Sequence, residues 1–157
     1  MSKRVSKSKQ VLEPRVNPTT KNMDVGGLAI KTTSLITALL YGFAHHPKVI
    51  AREYYFWRIC DELWNREDLP EPMMVRHPWA EQMIRAALKD KYLAIGGSAS
   101  SGKSHTMAAW GIIQWLCQPR DTLVLMTSTT LREARKRVWG SVMSLLSVIE
   151  GAPIKIR

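Results

Sequence analysis

Apolar residues recur at helical spacing in two segments of the first half of the chain. In the first segment the apolar positions are Leu35, Ile36, Leu39, Leu40 and Phe43, and Pro47 follows them. This period predicts an amphipathic helix that ends before the proline. In the second segment, residues 48–65, one face carries Phe56, Ile59, Cys60 and Leu63, flanked by Trp57 and Trp64. We interpret these aromatic side chains as packing surface and not as a base-stacking platform.

The second half of the chain alternates between helical and strand-like patterns. A proline-containing stretch, residues 66–78, precedes it and is interpreted as a linker. The predicted elements are a helix over 78–90, a strand over 92–96, a helix over 103–117, a strand over 122–126 and a helix over 131–149. Strands and helices that alternate with short connections are typical of a parallel sheet. The predicted fold class is therefore α/β.

The charge of the chain is strongly unbalanced. There are 23 Lys and Arg residues against 13 Asp and Glu, which gives a formal net charge of +10. Residues 1–27 hold six of the cations, at Lys3, Arg4, Lys7, Lys9, Arg15 and Lys21, and they show no apolar period. This composition predicts a basic disordered tail. The overall charge favours a polyanionic partner such as nucleic acid or an anionic membrane.

The longest apolar stretch and the two cysteines indicate the cellular environment of the protein. The most apolar stretch, Leu35–Ala44, has ten residues, whereas a membrane span needs about 20. We therefore predict no membrane partner. We also predict no signal peptide, because the basic N-terminus is not followed by an apolar core of about 7–15 residues within residues 1–24. Cys60 and Cys117 have no CxxC spacing, so they indicate neither a zinc site nor a disulfide framework. A reducing, cytosolic environment is expected.

One motif in the chain predicts specific chemistry. Residues 97–104, Gly-Ser-Ala-Ser-Ser-Gly-Lys-Ser, fit the phosphate-loop pattern GxxxxGK[ST] without a mismatch. Gly97 and Gly102 allow the backbone to turn its N–H groups towards phosphate oxygens, and the following helix adds the positive end of its dipole. Lys103 is expected to contact the β- and γ-phosphates and Ser104 to hold Mg²⁺. The predicted nucleotide-binding residues here are Gly97, Ser98, Ala99, Ser100, Ser101, Gly102, Lys103, Ser104 and His105, with Lys103 also catalytic.

The flanks of the motif suggest a base reader and a nucleic-acid contact. Gln82 lies fifteen residues before Gly97, and its amide can pair with an adenine edge, with Trp79 or Tyr92 beside the ring. A solvated glutamine is the alternative. After the predicted strand over 122–126, the helix carries basic residues suited to phosphodiester contacts, although a solvated charged face is equally compatible. They are Arg132, Arg135, Lys136 and Arg137.

Residues 77–145, through Pro78-x-x-x-Gln82, the phosphate loop and the run Thr127–Gly140, resemble the ATPase domain of bacteriophage large terminase subunits. The resemblance implies a RecA-like P-loop ATPase fold, ATP and Mg²⁺ as cofactors, and ATP-driven translocation of double-stranded DNA. It also implies the phage portal and the small terminase subunit as partners, in the cytoplasm of the infected bacterial host cell. The phosphate-loop residues would hold ATP–Mg²⁺, and Gln82 would belong to the adenine motif.

The chain departs from the family pattern in its acidic residues. No apolar run that ends in Asp-Glu follows Lys103; the acidic residues after Ser104 are Asp121, Glu133 and Glu150. Hydrolysis needs a carboxylate for Mg²⁺ and one to orient water, and a two-metal nuclease needs a cluster of them. We therefore expect the N-terminal part of a motor, which binds ATP–Mg²⁺ weakly and hydrolyses little alone. Its expected units are a basic flexible tail (1–27), a helical segment (28–70) and an incomplete P-loop ATPase domain (71–157).

Three alternatives to a packaging motor stay open. A helicase-like nucleic-acid ATPase fragment would show the same charge and the same glutamine. A small-molecule P-loop kinase explains the loop but not the charge. A non-catalytic nucleotide- and DNA-binding module explains both without turnover. Because unpaired edges of a small sheet favour self-association, an oligomer is among the expected assemblies.

Overall fold

The protein is mainly helical. The computed structural model describes residues 22–25, 28–31, 34–98, 101–125, 127, 132 and 138–149. The helices are α1 (Ser34–His45), α2 (Val49–Trp64), α3 (Pro78–Lys89), α4 (Lys103–Cys117) and α5 (Gly140–Ser147). They are preceded by two strands, β1 (Asn22–Val25) and β2 (Leu28–Lys31). The first four helices begin and end within a few residues of the predicted positions, so the helical periodicity is confirmed.

The two strands form an antiparallel pair. In their register Asn22 lies opposite Lys31, and Val25 lies opposite Leu28. The two residues between the strands are glycines, and Gly-Gly is a typical connection of a two-residue hairpin. Strand β1 lies inside the segment 1–27, for which the sequence predicted a tail. The Gly-Gly pair was the signal that could have located it.

The core forms where α1, α2 and α4 pack together. Its aromatic centre consists of Phe43, Phe56 and Trp110, whose ring centroids lie 5.6–6.3 Å apart. The side chains of Phe43 and Phe56 are fully buried. Aromatic pairs at such distances add about 0.5–1.5 kcal/mol each beyond the burial of their area. Trp57 and Trp64 are buried as well, so the interpretation of Phe56, Trp57 and Trp64 as packing surface is confirmed.

The linker between α2 and α3 is tied to the end of α2. The side-chain amide of Asn65 donates to the carbonyl of Met74 at 2.8 Å, and its oxygen accepts from the Met74 N–H at 2.9 Å. The N–H of Met73 donates to the carbonyl of Trp64 at 3.0 Å. The Asn65 side chain thus pairs with the backbone of Met74 as a neighbouring strand would, and it ties the linker to the end of α2 ahead of α3.

An ion pair between a buried carboxylate and an exposed guanidinium joins α3 to α2. Both Glu53 carboxylate oxygens accept from the Arg85 guanidinium, at 2.8 and 2.9 Å. The Glu53 side chain is 6% exposed, whereas Arg85 is 57% exposed. The hydrogen bond to Glu53, followed by its charge, raises the pKa of Arg85. Because the buried carboxylate needs this partner, the pair fixes how α3 lies across α2.

The predicted parallel sheet is wrong for the described part of the chain. Residues 93–98 and 122–125 have no regular secondary structure, and β1 with β2 is the one strand pair among the described residues. Leu123 is 88% exposed and Leu125 is 78% exposed. A strand is stabilised by its hydrogen-bonded neighbours and by packing on the sheet faces, and neither run has such a neighbour there. The described residues therefore do not support a RecA-like α/β fold.

Candidate functional site

The backbone of the loop before α4 turns at its two glycines. Gly97 has a φ of 156° and Gly102 has a φ of 75°. L-residues with a side chain rarely adopt these values, so both positions favour glycine. Gly102 is the N-cap of α4, and its carbonyl accepts from the N–H of Thr106 at 2.9 Å. The glycine spacing of the motif is thus matched to a turn that leads directly into a helix.

The Lys103 ammonium lies inside this loop. It donates to the carbonyl of Gly97 at 3.0 Å, to the carbonyl of Ser98, and to the Ser101 hydroxyl at 2.8 Å. An ammonium has three N–H donors, and all three are satisfied by oxygen atoms of the loop. The ammonium therefore lies at the loop, where the anionic oxygen atoms of a ligand could replace these neutral oxygen atoms as its acceptors.

The start of α4 adds to this positive potential. All residues of its first turn are among the described residues, and none of them is acidic. The N-cap makes no side-chain hydrogen bond. The dipole end is therefore not neutralised locally. Ser104 is exposed on this turn, and it is not among the residues that line the cavity between the loop and α3. Among the described residues no group of three His, Cys, Asp or Glu side chains could hold a metal. A Mg²⁺ ion would therefore be held by the Ser104 hydroxyl and phosphate oxygens, without the carboxylate ligand that this ion usually has in nucleotide sites.

A cavity of about 300 Å³ lies between the loop and one face of α3. Trp79, Gln82, Met83 and Ala86 of α3 line one side, and residues 93–98, Ser101 and Lys103 line the other. The indole of Trp79 is 68% exposed. Cavities of about this size and above hold small ligands and cofactors. The tertiary structure thus brings Gln82 and Lys103 to the same cavity.

Other predicted site residues lie elsewhere. Tyr92 does not line this cavity, so of the two candidate ring neighbours only Trp79 is in place. The His105 ring lies 2.8 Å from the carbonyl of Met73, on the linker. Arg132 is exposed and does not line the cavity. The remaining predicted residues, Ala99, Ser100, Arg135, Lys136 and Arg137, lie outside the described residues.

Sequence reasoning missed two parts of the site. The apolar residues 93–95 belong to the predicted strand over 92–96, but they form a loop that lines the cavity. The second part is His77, whose Nδ1 accepts from the N–H of Ala80 at 3.2 Å as the N-cap of α3. Its position directly before Pro78 was the available signal, since proline favours the first position of a helix.

The two cysteines are not reactive candidates. Burial raises the pKa of Cys60 well above its ordinary value of 9.0, and it raises the pKa of Cys117 to about 12. A thiol must lose its proton to act as a nucleophile or metal ligand. Both thiols are protonated at neutral pH, so thiolate chemistry does not enter the candidate site.

Comparisons of the chain with known protein families, with curated proteins and with solved structures found no match. None of the described helices is long and apolar enough to cross a membrane. The arrangement of cavity, loop and helix start is therefore the basis for a functional conclusion.

Proposed function

We propose that the chain binds ATP with Mg²⁺ in the cavity between α3 and the loop of residues 97–103. One observation carries the proposal: Gln82 and Lys103, 21 positions apart in the sequence, line the same cavity. The two residues proposed to contact the base and the phosphates therefore share a cavity of about 300 Å³. The local geometry supports this without requiring the parallel sheet that the sequence had suggested.

Each wall of the cavity suits one part of the nucleotide. The exposed Trp79 indole offers an aromatic face for stacking on a base, a contact worth about 1–3 kcal/mol. The Gln82 amide can both donate to and accept from the adenine edge. The Lys103 ammonium and the start of α4 suit the phosphates. The base is therefore expected against α3 and the phosphates at the loop.

The same lining supports binding with slow turnover. The cavity walls formed by the described residues include no carboxylate, whereas hydrolysis needs a group that orients the attacking water. We therefore expect the purified chain to hold ATP–Mg²⁺ and to hydrolyse it little.

Replacement of Gln82 by alanine is expected to weaken ATP binding about tenfold and to remove the preference for ATP over GTP. The substitution deletes the paired donor and acceptor, and two neutral hydrogen bonds are worth about 1–3 kcal/mol together. Isothermal titration with each nucleotide measures the change. Gln118→Ala, at the exposed C-cap of α4, is the control and should bind both nucleotides as the unaltered chain does. Equal affinity of the unaltered chain for ATP and GTP would contradict the role of Gln82.

We further propose that nucleotide binding serves a DNA-packaging motor of the terminase type in an infected bacterial cell. The sequence resemblance supports this role, as do the net charge of +10 and the exposed Arg132. Double-stranded DNA is then the expected polyanionic partner. A helicase fragment or a non-catalytic binding module would have the same nucleotide site, and a strong preference for single-stranded DNA would favour the helicase fragment.

Deletion of residues 2–21 is expected to weaken binding of double-stranded DNA and to flatten its dependence on salt. The deletion removes Lys3, Arg4, Lys7, Lys9, Arg15 and Lys21 but leaves β1 whole. If all six contact phosphates, the slope of log K against log salt falls by about 5. Fluorescence anisotropy at several salt concentrations measures it. A full-length variant with these six residues changed to Gln should match the deletion, and an unchanged slope in both would remove the segment from the interface.

A further inference from the structure

The imidazole of His105 joins the first turn of α4 to the linker between α2 and α3. Its Nε2 lies 2.8 Å from the carbonyl oxygen of Met73. A carbonyl oxygen can only accept a hydrogen bond, so Nε2 carries a proton and donates. The ring is half-buried, and the two residues are 32 positions apart in the sequence. The hydrogen bond therefore connects two distant segments of the chain.

The backbone that accepts this hydrogen bond is itself attached to α2. The N–H of Met73 donates to the carbonyl of Trp64, the last residue of α2, at 3.0 Å. The next residue, Met74, is buried and pairs with the Asn65 side chain through two hydrogen bonds, at 2.8 and 2.9 Å. The His105 ring therefore donates to a backbone position that is fixed on the end of α2.

The two ends of this hydrogen bond lead directly to the two sides of the cavity. On one side, α3 begins five residues after Met73, and its Gln82 lines the cavity. On the other side, Lys103 lines the cavity and lies on the same helical turn as His105. Both connecting paths run through described residues. The His105 ring does not itself line the cavity, so it would act on a ligand only through these neighbours.

We infer that His105 is a positioning residue that holds the start of α4, and with it Lys103, in place relative to α3. The inference rests on the proposed nucleotide site. With the hydrogen bond, the phosphate-binding and base-binding sides are held relative to each other before the ligand arrives. Without it, a ligand that spans both sides must fix their relative position itself, and the cost of this ordering is lost from the affinity. A ligand that contacts α3 alone loses nothing.

Two substitutions of His105 separate the hydrogen bond from the bulk of the side chain. The amide nitrogen of glutamine is as many bonds from Cα as the histidine Nε2, so His105→Gln retains the donor. Leucine fills a similar volume but has no donor. We expect His105→Leu to bind ATP–Mg²⁺ about fivefold to tenfold more weakly, as the loss of one neutral hydrogen bond predicts, and to bind adenosine as before. His105→Gln should bind both ligands within about twofold of the unaltered chain.

Titration calorimetry measures these affinities, and thermal melts show whether each variant is folded at the titration temperature. His45, exposed on the surface of α1, is the control histidine, and His45→Leu should leave both affinities unchanged. If His105→Leu does not fold, His105→Asn takes its place, because the shorter amide cannot reach the Met73 carbonyl. The ratio of ATP affinity to adenosine affinity then decides in the same way.

The outcomes distinguish this inference from the proposed function. If the unaltered chain binds no ATP–Mg²⁺, both fall. If it binds ATP–Mg²⁺ and His105→Leu binds equally tightly, the positioning role alone is overturned. An equal loss for ATP and adenosine also overturns it, because the hydrogen bond would then stabilise the fold as a whole. A loss in His105→Gln as large as that in His105→Leu overturns it too, since the donor would then make no difference.

Discussion

Replacement of Lys103 by alanine is expected to weaken ATP–Mg²⁺ binding about 100-fold or more. The ammonium is held in the loop by the Gly97 and Ser98 carbonyls and by the Ser101 hydroxyl, so it needs little movement to contact phosphate. A hydrogen bond to a charged group is worth about 1.5–3 kcal/mol. Loss of two such bonds, about 3–6 kcal/mol together, corresponds to a factor of about 10² to 10⁴. Isothermal titration with ATP–Mg²⁺ gives the value.

The matched control for Lys103 is a lysine outside the cavity. Lys89, in the last turn of α3, is exposed and does not line the cavity, so Lys89→Ala should bind ATP within about twofold of the unaltered chain. Among the described residues the hydrogen bonds of the Lys103 ammonium all go to its own loop, so Lys103→Ala should melt at nearly the same temperature. Retention of ATP affinity in Lys103→Ala would show that the cavity does not bind nucleotide phosphates.

Replacement of Trp64 by alanine is expected to lower the free energy of unfolding by about 3–5 kcal/mol. The indole is fully buried at the end of α2. Its Nε1 donates to the carbonyl of Leu145 at 2.9 Å, across 81 positions of sequence. The substitution leaves a large cavity and removes the hydrogen bond between α2 and α5. Because a typical domain is stable by about 5–15 kcal/mol, urea denaturation should show a clear shift of the midpoint.

Two variants separate the causes of this effect. Trp64→Phe keeps most of the apolar volume but leaves the Leu145 carbonyl without its donor, at an expected cost of about 1–3 kcal/mol. Trp139 is 53% exposed, and Trp139→Ala should change the stability by about 0.5 kcal/mol or less. A Trp64→Ala variant as stable as Trp139→Ala would contradict the packing of α5 on α2.

The proposed site residues differ in how far their positions depend on the tertiary fold. Lys103 and the two glycines belong to one continuous segment, so the motif contains their spacing and the tertiary structure supplies only the helix behind them. Gln82 is useful only if α3 lies beside the loop. That placement depends on the Glu53–Arg85 ion pair and on the hydrogen bonds between Asn65 and Met74. Neither interaction follows from the period of apolar residues in the sequence.

The sequence by itself determined the helices and the phosphate-loop motif. A helix satisfies its backbone hydrogen bonds within its own segment, so the period of apolar residues in α1 to α4, with Pro47 and Pro78 at the boundaries, was sufficient to locate it. The turn at Gly97 and Gly102 is likewise local, since it depends on the φ values that glycine permits.

Only the tertiary structure determined whether the strand-like runs form strands and which residues line the cavity. A strand depends on hydrogen-bonded neighbours elsewhere in the chain, so an apolar run such as Leu123–Leu125 does not by itself specify one. The run at Leu93–Ile95 became a cavity wall for the same reason. Gln82 lines the same cavity as Lys103 because long-range packing places α3 beside the loop. Local patterns specify local structure; contacts between distant segments depend on how the whole core is filled.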